Sequence, residues 1–60
     1  MRNKAMRLIY RTPRAEYWVQ WDGQAGVWEM FASPEGDDYL GAFDTPAQAR
    51  AYAVKHVKGG

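Results

Sequence analysis

Sixty residues with no cysteine and a single histidine, His56, make one small domain without a disulfide framework, a thiolate zinc site or a histidine-built metal centre. No apolar run approaches the roughly 18 residues of a membrane span, and the opening MRNKAMRLIYR carries charges inside its apolar stretch, unlike a signal peptide, so a cytoplasmic protein is expected. The net charge of +1 conceals a division: residues 1–14 hold five cations and no acid, whereas residues 15–60 hold three cations against seven acids, a net −4. Such asymmetry suggests a basic arm on a mildly acidic body.

Taken in chain order, AMRLIYR alternates Met6, Leu8 and Tyr10 against Arg7, Ile9 and Arg11, a strand-like pattern that Thr12-Pro13 ends. Residues 1–14 therefore read as a basic arm or an edge strand, and residues 15–58 as the domain proper. EYWVQWD follows. Its period of two sends Tyr17, Val19 and Trp21 to one face and Glu16, Trp18, Gln20 and Asp22 to the other. The glycine-bounded GQAG turn leads into VWEMFAS, rich in residues that favour strands, which completes a hairpin.

SPEGDD is turn chemistry, with proline presetting φ and glycine accepting positive φ, and it leads through a second hairpin into YLGAF. Thr45 then caps a helix with its hydroxyl, and Pro46 fills the first helical position, where its missing N–H costs nothing. Within the helix, Ala49, Tyr52, Ala53 and Val57 form one stripe and Ala47, Ala51 and Val54 a weaker second one. The predicted fold is α+β, a three-stranded antiparallel meander, or four-stranded if the N-terminal segment pairs, with one C-terminal helix packed on one face.

Two hairpins followed by Leu40-Gly41-Ala42-Phe43-Asp44-Thr45 and the Ala49 to Ala53 helix resemble the three-stranded-sheet-plus-helix DNA-binding domain of the plant ethylene-response type. The N-terminal arm-binding domain of phage integrases is similar. The resemblance spans about residues 16 to 57, and it implies that the sheet face away from the helix enters a DNA groove, where arginines read guanine edges and hold phosphates. In this chain the corresponding positions carry Trp18 and Gln20 on the first hairpin strand, Glu29 or Ser33 on the second, and Asp37 and Asp38 before the last; only Tyr39 keeps the aromatic character. Most of the DNA-contacting arginines are missing.

No cofactor or metal is expected: Asp37 and Asp38 are adjacent acids of a solvated turn, and their spacing matches no EF-hand loop. A chain this short has little volume for a catalytic cleft, and His56, flanked by Val54 and Val57, reads as a partly buried packing residue. At least two of the three tryptophans are expected in the core, because a small domain without crosslinks needs large apolar side chains. Trp18 is expected on the face away from the helix, where exposed aromatics mark binding surfaces.

Two functions follow as expectations for a small non-enzymatic binding module. In the first, a nucleic-acid-binding accessory protein, Arg2, Lys4, Arg7, Arg11 and Arg14 hold phosphates while Trp18 and Tyr39 stack on bases. In the second, a protein-interaction module of inhibitor or homodimer type, the surface is Trp18, Gln20, Glu29, Asp37, Asp38 and Tyr39.

Overall fold

The computed structural model describes residues 6–59. Four strands, β1 (Arg7–Arg11), β2 (Glu16–Asp22), β3 (Val27–Phe31) and β4 (Tyr39–Phe43), form one antiparallel sheet in the order β1-β2-β3-β4, and the helix α1 (Pro46–Gly59) packs on it. The segment carrying Arg7 to Arg11 is thus the fourth strand, at the edge beside β2.

Side-chain chemistry closes each turn. Between β1 and β2 the Thr12 hydroxyl accepts the N–H groups of Arg14 (3.2 Å) and Ala15 (3.0 Å), and Thr12 N–H donates to the Ala15 carbonyl at 2.8 Å. Pro13 sits in the turn where its fixed φ is an advantage. Between β2 and β3 the Asp22 carboxylate accepts the N–H groups of Gln24 (3.1 Å) and Ala25 (3.3 Å), and the chain reverses through Gly26 at φ 71°. That region of φ carries a steric penalty for any residue with a Cβ. Asp22 is therefore occupied as a turn-forming acid.

The helix begins as its sequence dictates. The Thr45 hydroxyl accepts the Gln48 N–H at 3.1 Å, while the Gln48 carbonyl oxygen of the side chain accepts the Asp44 N–H at 3.2 Å, a reciprocal cap over Pro46. Of the first stripe Ala49 and Ala53 are buried and Val57 is half-buried, whereas Tyr52, at the margin of the contact, is 40% exposed; of the second, Ala47 and Ala51 are exposed and Val54 is half-buried.

Ala49 and Ala53 form one cluster with Tyr17, Val19 and Met30; Ile9, Tyr10, Ala15, Trp28, Leu40, Phe43 and Val57 pack around it. Only Trp28 of the three tryptophans packs against this cluster, which corrects the expectation of two: Trp18 lies on the face away from the helix with Phe31, and Trp21, toward the end of β2, is 48% exposed. Burying Met30 completely contributes roughly 1.5–3 kcal/mol. For a domain of this length total stability is on the order of 3–9 kcal/mol, so Met30→Ala, at a cost of about 2–5 kcal/mol, should leave a substantial unfolded fraction without denaturant. Thr45→Ala should lower stability by about 1 kcal/mol. Urea titration followed by far-UV circular dichroism measures both, and an unchanged midpoint for Thr45→Ala would contradict the cap.

Candidate interaction surface

The sheet has a second face, away from α1, and the strand register lines up its residues in rows. Leu8 pairs with Trp18, Trp18 with Phe31 and Phe31 with Tyr39, so one row of apolar and aromatic side chains crosses all four strands. A second row is polar: Gln20 opposite Glu29, and Glu29 opposite Ala42. Opposite residues in an antiparallel pair share a face and touch, so each row behaves as a unit.

Within the aromatic row, exposure rises toward the ends. Leu8 is 39% exposed and Tyr39 59%, while Phe31 in the middle is 8% exposed although it lies outside the helix-side cluster. The segment between β3 and β4 accounts for this. It folds back on the sheet through hydrogen bonds from Ala32 N–H to the Asp38 carbonyl (2.9 Å) and from Asp37 N–H to the Ser33 hydroxyl (3.2 Å). Gly36, at φ 81°, sits so close that a Cβ there would lie 3.9 Å from Met6 Cε and 4.0 Å from the Phe31 ring. Phe31 also meets Tyr39 edge-on, with centroids 5.6 Å apart and planes at 61°.

Polar groups fix the rest. Trp18 is half-buried, and its indole N–H donates to the Glu16 carboxylate on the same strand at 3.2 Å. Gln20 donates to Glu29 at 3.3 Å across β2 and β3. Asp37 and Asp38 are exposed at the start of β4, beside Tyr39. Of the two candidate positions, Glu29 lies on this face in β3 opposite Gln20, and Ser33 lies in the connection after β3.

The basic residues do not converge on this surface. Arg7 lies opposite Val19 and so belongs to the helix side, whereas Arg11 lies opposite Glu16 on the outer side; Arg14 is exposed in the following turn. Arg2 and Lys4 lie outside the described residues. Among the described residues no group of His, Cys, Asp and Glu is placed to hold a metal ion, and no helix is long and apolar enough to cross a membrane.

Two expectations about aromatic exposure are corrected. Trp18 does face away from the helix, but the most exposed tryptophan is Trp21, at 48% on the helix side, where it leans on Trp28 with centroids 5.3 Å apart. Nothing in a strand's alternation reports how far the helix reaches along it. His56 is exposed rather than partly buried, and it stacks on Tyr52 at 5.8 Å and 20°; Tyr52 in turn packs on Phe43 at 5.4 Å. Its apolar sequence neighbours, at helical spacing, point elsewhere.

Comparison with family models, with curated proteins and with solved structures returns no match. The function must be argued from the surface itself. In variants that keep one tryptophan and carry phenylalanine at the other two, Trp21 should emit at the longest wavelength and be quenched most by acrylamide. Stronger quenching of Trp18 would contradict its half-burial.

Proposed function

We propose that this chain is a small non-enzymatic binding module whose outer sheet face engages a basic segment of a protein partner. The observation that carries the reading is the row Leu8-Trp18-Phe31-Tyr39, bordered by Glu16, Glu29, Asp37 and Asp38. Its aromatic members supply rigid, largely apolar contact area with a polar tip on Tyr39, the composition of interface hot spots. Its carboxylates set the sign of the partner, since each acid within 4 Å of a unit charge contributes about 1 kcal/mol even in water. Against phosphates the same acids repel.

A second reading rests on a different observation. Arg7, Arg11 and Arg14 are all exposed along one edge of the sheet and its first turn, and the resemblance to sheet-plus-helix DNA-binding domains supports a nucleic-acid partner. In that version the edge tracks a phosphate backbone and Trp18 and Tyr39 stack on bases.

One set of titrations separates the two. Deletion of residues 1–14 is unsuitable because it strips β1 from the sheet, so the comparison uses substitutions in the full chain. The probes are a deca-arginine peptide and random-sequence duplex and single-stranded DNA, followed by fluorescence anisotropy at two salt concentrations. The protein-partner reading expects peptide binding that drops at least about tenfold, or about 1.4 kcal/mol, in Trp18→Ala and Tyr39→Ala. The nucleic-acid reading expects DNA binding with a log–log salt slope of up to about −3 that Arg7, Arg11 and Arg14→Ala together abolish. Binding to neither probe at low salt defeats both.

A further inference from the structure

β1 and β4 are the outer strands of the sheet, so one side of each has no strand partner among the described residues. Their compositions are opposite in a way that bears on what could pair there. β1 reads Arg7-Leu8-Ile9-Tyr10-Arg11, three apolar residues between two exposed arginines. β4 reads Tyr39-Leu40-Gly41-Ala42-Phe43, five uncharged residues between the exposed acids Asp38 and Asp44. It has no lysine, arginine or proline of the kind that usually blunts an edge.

Self-pairing of β4 in antiparallel fashion would bring Asp38 of one copy near Asp44 of the other, an unfavourable approach of like charges. Pairing β4 with β1 of a second copy brings opposite charges together. We propose that copies of this chain associate head to tail, β4 of one against β1 of the next.

Two further features agree. The register of each edge strand contains one irregularity, at Ile9 between Leu8 and Tyr10 and at Leu40 between Tyr39 and Gly41. Because each strand carries one extra residue, the five positions of β1 align without a gap on the five of β4, and faces agree at the flanking positions. Arg7 and Phe43 both lie on the helix side, opposite Val19 and Trp28 in their own sheets, while Leu8 and Ala42, and Arg11 and Tyr39, both lie on the outer side. Each arginine thereby sits beside an aromatic ring and one residue from an aspartate, which suits both cation–π and ionic contact.

The even number of strands is the second feature. β1 and β4 run in opposite directions, so a second copy in the same orientation continues the antiparallel alternation with its helix on the same side. With a twist of roughly 20–25° per strand, successive copies rotate and the contact repeats as a heterologous one rather than closing as a two-fold dimer. The buried area is that of one strand pair, so the association is expected to be weak and salt-sensitive.

Sedimentation velocity of the full chain over a concentration series tests this, with circular dichroism confirming that each variant is folded. The wild-type mass should rise with concentration. Leu8→Lys, which spoils β1, and Ala42→Lys, which spoils β4, should each weaken association at least about tenfold. An equimolar mixture of the two should form a one-to-one dimer and stop there, because each variant retains the edge that the other lacks. If either lysine variant is unfolded, Arg11→Glu and Asp44→Lys replace the pair with the same expectation. A monomer at all concentrations, association that survives both single substitutions, or a mixture that fails to dimerise overturns the proposal; the second outcome assigns the contact to another surface, such as the outer aromatic row.

Discussion

The helix meets the sheet through methyl groups. Ala49 and Ala53 are wholly buried, in one cluster with Tyr17, Val19 and Met30. A helix of this length is marginal in isolation, so its existence depends on that seat. The close approach also limits how much sheet it covers. Around the contact Phe43 and Tyr10 form a collar met by the longer helix side chains Tyr52 and Arg50, and Trp21 toward the end of β2 is left 48% exposed.

This arrangement explains which features were legible from residue order. The alternation in EYWVQWD correctly separates Tyr17 and Val19 from Trp18 and Gln20, because strand periodicity is local and one face is strongly apolar. Thr45 and Pro46 announce the helix start for the same reason: the N–H that the Thr45 hydroxyl satisfies lies three residues on, at Gln48. The two-stripe ambiguity in the helix was settled by burial of Ala49 and Ala53, a tertiary outcome. Trp21 and His56 were misjudged because their exposure depends on the reach of a neighbouring element, which no spacing rule encodes. The irregularities at Ile9 and Leu40 are equally silent in the sequence, since a bulge is a property of pairing between two strands.

The acids of the chain divide by position into those that build and those that face outward. Asp22 is spent on backbone N–H groups of its turn, and Glu16 and Glu29 are tied to Trp18 and Gln20 while keeping charge on the outer side. Asp37, Asp38 and Asp44 bracket β4 and are free of that duty as carboxylates, in that the hydrogen bonds at Asp37 and Asp44 are made by their backbone N–H groups. The acids on and beside the outer face, Glu16, Glu29, Asp37 and Asp38, thus give it a sign opposite to the one that phosphate recognition requires.

The segment that closes over Phe31 has one more consequence. Since Gly36 lies against that ring on the face away from the helix, the sheet is covered locally on both faces, with a little interior on each side. The helix-side interior sets whether the chain folds, while the outer one sets the relief of the surface around Trp18 and Tyr39. Lengthening or shortening the connection between β3 and β4 would therefore remodel the contour of the outer face while leaving the alanine seat untouched. Variation in shape and persistence of fold are assigned to different stretches of the same short chain.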